Sequence, residues 1–405
     1  MYIDEYLSYK IYDQLLPDNS MIQWFDPIDS SGNITGGRPV SSQPAGSHKH
    51  LCATYPGIHR IKSGIDNFYK DHNGNNNFKT VDWNNFQYQK NKNIFLNHSF
   101  EPIQYKHDSN FWCDKTFDYR DAEGNLTEHL GNFHCNPQCG DRLFLLHSER
   151  QSTDLDLIRK HITVQNIKPV YWFANGYMCA TEWYRHFGLG IFDDFEARPI
   201  RYKFICANRL FSKNKKFRLE FLNLINLEHG AYSLLEHCPL SGQTPNQALE
   251  SNHVKPHSFD DHQNESAYIE MRYQTPFNTS FLHVVTETLF TEEKHHLTEK
   301  IFKPIVLQQP FVLIAPRGCL AYLKSYGFRT FDRWWDESYD QIRDNNQRLQ
   351  SIANIVNNIA EMDWEDLYRM RTEMTEVLEH NRKLFYGRFA ADCWHELRCN
   401  IQQYF

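Results

Sequence analysis

Four short segments between residues 280 and 327 switch repeatedly between strand-like and helix-like hydrophobic patterns, and this alternation constrains the fold more than any other feature. Phe281-Leu282-His283-Val284-Val285-Thr286 is a compact apolar run closed by Glu287, the pattern of a buried strand with an acid at its exit. A polar loop leads to Thr298, a good N-cap residue. Glu299 falls in the first turn, where the helix dipole favours an anion. The helix should run to about Leu307, where Gln308-Gln309-Pro310 stops it. Phe311-Val312-Leu313-Ile314 is the next strand, and Pro316-Arg317-Gly318 turns the chain into a helix ending at Tyr326-Gly327. Strand, helix, strand, helix is the order of a parallel sheet with helical crossovers. In such sheets ligands sit beyond the carboxyl ends of the strands.

At 405 residues the chain exceeds the size at which one hydrophobic core stops growing, so two domains are expected. Lys and Arg total 43 against 50 Asp and Glu, a net charge of −7, which argues against a protein that coats nucleic acid. No apolar run is long enough for a membrane span, and Met1-Tyr2-Ile3-Asp4-Glu5 lacks the basic start and apolar core of a signal peptide. The expectation is a cytoplasmic protein. Its 10 cysteines are scattered, some inside apolar runs (Cys206, Cys319), as free thiols of a reducing compartment are.

Residues 1 to 140 read as short strands and long loops. Asp71-His72-Asn73-Gly74 imitates the start of a calcium loop, but the turn glycine is misplaced and the closing Glu is missing, so a solvated loop is the better account. Cys113, His129, His134, Cys135 and Cys139 have metal-ligand chemistry without a second well-spaced pair, and packing cysteines with surface histidines are the default. Ile94-Phe95-Leu96 enters a polar loop at Asn97-His98. From Arg142 the pattern sharpens: Leu143-Phe144-Leu145-Leu146 is a strand, His147-Ser148-Glu149-Arg150 its exit, and Ser152 caps a helix. Pro169-Val170-Tyr171-Trp172-Phe173 is the next strand, followed by Asn175-Gly176 and a helix carrying Trp183-Tyr184-Arg185.

Residues 192–199 read as a linker. Beyond it Tyr202-Lys203-Phe204-Ile205-Cys206-Ala207 is a strand with Asn208-Arg209 at its exit, then Lys213, Lys215, Lys216 and an amphipathic helix through Arg218 and Leu219. A strand, a basic loop and a helix start make an anion site, because loop amides and the helix dipole add to the side-chain charges. A solvated basic face is the plain alternative; the shared domain with Glu299 and Lys300 favours the anion site. Residues 240–277 contain no legible site. After Asp340 the chain is helical, and its last helix carries an aromatic stripe through Phe385, Phe389 and Trp394 of the kind that packs.

Thr298-Glu299-Lys300 opening a helix, with Lys303-Pro304 behind it and Pro310-Phe311 opening the next strand, resembles the donor-site helix of GT-B nucleotide-sugar glycosyltransferases, in the fucosyltransferase-like and phage-encoded branches. Gly327-Phe328, Thr330-Phe331 and Trp335-Asp336-Glu337-Ser338-Tyr339-Asp340 extend the likeness. The strand followed by His147-Ser148-Glu149, the Trp183-Tyr184-Arg185 helix, and Asn208-Arg209 with Arg218-Leu219 are similar to the same proteins. The resemblance implies an α/β fold of two Rossmann-like domains facing a cleft, with a helical C-terminus. The N-terminal, acceptor-side domain would be 1–198, the donor domain 199–375, and 376–405 a C-terminal helix packing back on the first domain.

The implied reaction moves a sugar from a nucleotide-sugar donor to an acceptor hydroxyl. It needs a cradle for a leaving diphosphate, a grip on ribose hydroxyls and, in an inverting displacement, a base. Arg209, Arg218, Lys300 and Lys303 are the phosphate candidates, Glu299 the ribose candidate, and Asn208 and Glu287 further donor-binding residues. Glu149 or His147, at a first-domain strand exit, is the candidate base; Glu287 lies at a second-domain exit, and the anomeric outcome stays open. The Asp-x-Asp pair Asp154-Leu155-Asp156 opens a first-domain helix rather than standing at a donor-domain strand exit, so a metal-independent reaction with no cofactor fits better. The acceptor is read as a saccharide. Hydroxymethylated phage DNA is the alternative, with host-cell cytoplasm as its setting, but Lys90-Asn91-Lys92 is too little for a groove. A non-catalytic glycan- or protein-binding module is the reading from another class.

Overall fold

The computed structural model describes residues 7, 11, 14–16, 20–24, 91, 93–99, 102, 142–156, 168–185, 198–208, 215–234 and 276–405. The calcium-like loop at 71–82, the Cys113–Cys139 cluster, Lys90, Lys92, Arg209 and Lys213 lie outside them. The chain divides into two compact units, Met1–Phe173 with His395–Phe405, and Ala174–Trp394. The division falls ahead of the 192–199 stretch because the chain just after Phe173 packs within the second unit: Tyr177 stacks on Trp394 at 5.2 Å, and the Tyr184 carbonyl accepts the Tyr386 hydroxyl at 2.9 Å.

In the first unit β1 (Ser20–Trp24), β2 (Asn93–His98), β3 (Arg142–His147) and β4 (Lys168–Tyr171) form a parallel sheet in that order. Leu143 to Leu146 are all buried, as a continuous apolar strand covered on both faces requires. Phe95 and Phe144 stack at 4.4 Å between neighbouring strands. The C-terminal segment completes this core. Tyr404 meets Phe144 edge-on at 5.4 Å, its hydroxyl donates to the Pro169 carbonyl at 3.0 Å, and Asn400 donates to the Tyr171 carbonyl at 2.8 Å.

The second unit holds β5 (Tyr202–Asn208), β6 (Gly230–Leu234), β7 (Ser280–Thr286) and β8 (Phe311–Ile314), all parallel, in the order β6-β5-β7-β8. Its helices include α1 (Ala174–Met178), α2 (Phe217–Leu224), α3 (Glu299–Leu307), α4 (Cys319–Lys324), α5 (Asn345–Glu361), α6 (Trp364–Glu373) and α7 (Thr375–Leu384); α8 (Ala390–Gln402) starts in this unit and ends in the first. Every residue of β7 and β8 is buried. α3 faces inward with Ile301, Phe302, Ile305, Val306 and Leu307, and Phe302 meets Phe385 and Phe389 at 5.3 and 5.5 Å. Two π-helical turns stand where the sequence pattern presents plain helix: Cys179–Trp183 follows α1, and Phe385–Phe389 joins α7 to α8. No helix among the described residues is long and apolar enough to cross a membrane.

The strand order locates the functional edge. From β5 the chain goes to β6 on one side, then returns to β7 and β8 on the other. The crossovers therefore part between β5 and β7, and their carboxyl ends form the crevice where open parallel sheets bind ligands.

Gly230 sits beside Phe204 across the β5–β6 pair, and a Cβ there would lie 2.1 Å from Phe204 Cζ, on a ring that is fully buried. Gly230→Ala is expected to destabilise the fold by about 1–3 kcal/mol through overpacking, read as a lower urea midpoint.

Candidate functional site

β7 delivers Glu287 to the crevice with 0 % of its surface exposed. Its Oε1 accepts the Thr298 amide at 3.1 Å, and its Oε2 accepts the Thr298 hydroxyl at 2.6 Å and the Thr288 amide at 3.3 Å. The Glu287 amide donates to the Ile314 carbonyl at 2.9 Å. Thr298 does hold the N-cap position of α3, but its hydroxyl makes no bond to the helix amides. It is turned to Glu287 instead, because a buried carboxylate is the stronger acceptor.

With its one hydrogen committed to Glu287, the Thr298 hydroxyl can only accept from elsewhere. Lys300 Nζ supplies that bond at 2.9 Å and also donates to Glu299 Oε1 at 3.0 Å and Thr288 Oγ1 at 3.3 Å. The side chains of Lys300 and Glu299 keep 27 % and 20 % of their surface, so this pair forms the accessible part of the cluster. Burial by itself would raise the Glu299 pKa, but Lys300 and Lys303 outweigh it and bring it down to about 2, so Glu299 stays ionised. For Lys300, burial works against the charge, while Glu299 and Glu287 more than restore it and raise its pKa. Glu287 moves upward because burial dominates Lys300 and the Thr298 bonds.

Arg218 lies beneath. It is 4 % exposed, and its Nη2 donates to the Glu287 carbonyl at 2.9 Å and the Thr286 carbonyl at 3.4 Å; burial lowers its pKa to about 10, still charged at neutral pH. Asn208 ties the two crevice strands together, its Oδ1 accepting the Thr286 hydroxyl at 2.7 Å. Of the residues proposed from sequence, Arg218, Glu287, Glu299 and Lys300 are joined through hydrogen bonds or charge at one strand-end crevice, with Lys303 acting on Glu299 from one turn down α3.

Several supports have no local sequence signal. The Tyr184 hydroxyl reaches the Glu299 carbonyl at 3.4 Å, and the Tyr184 carbonyl, at the end of the first π-helical turn, takes the Tyr386 hydroxyl. π-turns of this kind recur at functional sites. Thr288 was likewise legible only as a loop residue.

In the first unit His147 and Glu149 are 4 % and 2 % exposed. The Glu149 amide donates to His147 Nδ1 at 3.3 Å, and the Ser152 hydroxyl donates to Glu149 Oε2 while accepting the Leu155 amide at 3.4 Å, an N-cap bond. Asp154 and Asp156 follow in that first helical turn.

Two open surface depressions, of about 400 and 330 Å³, lie near Lys324 and Asp332, which both of them share. Neither is lined by Arg218, Glu299 or Lys300. Two of their ion pairs are Arg329 with Glu376 at 2.6 Å and Lys324 with Glu337 at 3.1 Å.

No protein-family model matches the sequence, and no curated protein matches it. Among solved structures the chain is similar to HepE of Anabaena in complex with UDP-glucose, at a TM-score of 0.36 and 12 % identity over 77 % of this chain and 72 % of that one. The complex of the same protein with UDP and glucose gives 0.35 and 12 % over 77 % and 70 %. A glycosyltransferase from Rickettsia africae ESF-5 gives 0.35 and 11 % over 85 % and 79 %. Superpositions this loose carry no weight for the chemistry of this chain.

In the middle of β7, His283 is 3 % exposed, and burial with Lys303 nearby lowers its pKa from 6.5 to about 3. Between those values the unfolded chain binds a proton that the folded one refuses. The stability is therefore complete above 6.5 and is lost as pH falls toward 3. Urea unfolding followed from neutral pH to about pH 4 should show a stability loss that His283→Gln reduces by on the order of 2–3 kcal/mol.

Proposed function

We propose that the chain is a nucleotide-sugar-dependent glycosyltransferase of the GT-B class, in the fucosyltransferase-like and phage-encoded branch that residues 297–304 resemble. The observation that carries this reading is the ionised Glu299 beside the Lys300 ammonium, at a helix start, on the switch-point edge of a parallel sheet. A carboxylate accepts the two hydroxyls of a ribose, and an adjacent cation meets the diphosphate attached to it. As the sugar leaves, charge grows on the diphosphate, and Lys300, Lys303, Arg209 and Arg218 are the residues that stabilise it. The reaction takes no metal and no further cofactor in this proposal.

The two-domain GT-B arrangement is part of the proposal, and with it the assignment of the base to the first unit. Of the two candidates there, Glu149 is the better base. His147 Nδ1 accepts the Glu149 amide, so in the neutral ring the hydrogen sits on Nε2 and no lone pair is left to take a proton. The acceptor is a saccharide, since a net charge of −7 opposes a polyanion.

Nucleoside diphosphate release from a panel of nucleotide sugars, with saccharide acceptors and with hydroxymethylcytosine DNA, tests the class and the acceptor together. Turnover with a saccharide is expected. A hexose or pentose mass on the modified base would move the acceptor to DNA, and inactivity with tight glycan or protein binding would replace the enzyme by a binding module. Lys300→Ala and Arg209→Ala should each weaken nucleoside diphosphate binding, measured by calorimetry, by on the order of ten-fold or more. Glu149→Gln should lower kcat by about 10²-fold or more with little change in donor affinity, and an unchanged kcat would remove Glu149 from the chemistry.

A further inference from the structure

Two cations of the proposed donor site are tied to one fully buried residue. The main-chain carbonyl of Glu287 takes the Arg218 guanidinium, and its carboxylate takes both the amide and the hydroxyl of Thr298. That hydroxyl then accepts from Lys300. We propose that Glu287 is a positioning residue, whose carboxylate sets the direction of the Thr298 hydroxyl and thereby aims the Lys300 ammonium at the diphosphate of the donor. The inference rests on the donor-site reading above and gives Glu287 a role different from donor contact, because its side chain is sealed from solvent and its oxygens face Thr298 and Thr288.

Three features separate this role from simple helix capping. An N-cap threonine serves its helix by accepting from the amides of the first turn; Thr298 makes no such bond, and its hydroxyl is oriented outward from the helix by Glu287. The chain of bonds has a direction, with the Thr298 hydroxyl giving to the acid and receiving from Lys300. The bond also terminates on a group that is part of the accessible cluster, since Lys300 keeps 27 % of its side-chain surface.

Glu287→Gln separates position from charge. It removes a negative charge beside an anion site, so simple electrostatics predicts tighter diphosphate binding. Positioning predicts the reverse. An amide offers one oxygen where the carboxylate offers two, so at least one of the donors now facing Glu287, the Thr298 amide, the Thr298 hydroxyl or the Thr288 amide, meets an N–H instead, and the Thr298 hydroxyl loses its fixed direction toward the acid.

The test is calorimetry of the full chain with UDP and GDP as probes, with thermal midpoints recorded for each variant. Glu287→Gln should weaken binding by on the order of ten-fold, as should Thr298→Val, while Thr298→Ser, which keeps the hydroxyl, restores most of the affinity that Thr298→Val loses. In a Lys300→Ala background Glu287→Gln should cost nothing further, because both act through the same ammonium. Additive losses, unchanged binding, or tighter binding with Glu287→Gln would overturn the positioning role while leaving the donor site standing. Wild-type protein that binds neither probe, in a preparation that also releases no nucleoside diphosphate from any sugar donor, would overturn the donor-site reading and this inference with it.

Discussion

A carboxylate taken wholly out of water costs several kcal/mol unless its oxygens are bonded, and Glu287 is that carboxylate here. Its oxygens are filled by groups that otherwise would be loose ends: the first amide of the following loop, and the amide and hydroxyl at the start of α3. The exit of β7, the loop and the helix start are thereby fixed to one another. Arg218 completes the arrangement from α2 by donating to the carbonyls of Thr286 and Glu287, where the strand runs out of ladder partners. Satisfying one buried acid therefore also ties it, through the Thr298 hydroxyl, to the Lys300 ammonium.

The position of this acid follows from the topology. In the first sheet the described strands run in sequence order, so no crossover pair parts between them. In the second, β6 and β7 lie on opposite sides of β5, so the carboxyl ends of β5 and β7 mark the switch point of the strand order. Asn208 and Thr286 bond to each other at that point.

The strands β3, β7 and β8 were legible because each is a short apolar run buried on both faces, and such runs stand out against the polar segments that flank them. The start of α3 was legible for the same local reason. What Thr298 does there was not, since propensity places a threonine at an N-cap without knowing that an acid 11 residues earlier will take its hydroxyl. Asn208 was read as a donor-binding residue at a strand exit; the bond its amide oxygen accepts from the hydroxyl of Thr286, on a strand distant in sequence, has no local signal. The contact of Tyr184 with Glu299, 115 residues apart, has no periodic signature at all. The π-helical turns escaped too, because the inserted residue leaves the apolar stripe intact, as with Phe385 and Phe389, which both still meet Phe302.

The three donors of Lys300 are matched by three acceptors of unequal depth. Thr298 is 4 % exposed and held by Glu287, Thr288 is half-buried, and Glu299 is the ionised partner with a fifth of its side chain open. On the proposed reading, an arriving phosphate oxygen competes best for the bond nearest water, because exchanging the deepest one, to the Thr298 hydroxyl, disturbs the bond that hydroxyl gives to Glu287. Releasing Lys300 from Glu299 leaves that carboxylate in need of donors at the same moment, and ribose hydroxyls are such donors. On the proposed reading the two halves of a nucleoside diphosphate are thus recognised together: the phosphate draws the ammonium away, the sugar repays the carboxylate, and a ligand with only one half leaves a charge under-solvated. The unbound site is kept whole by the ion pair that binding would divide.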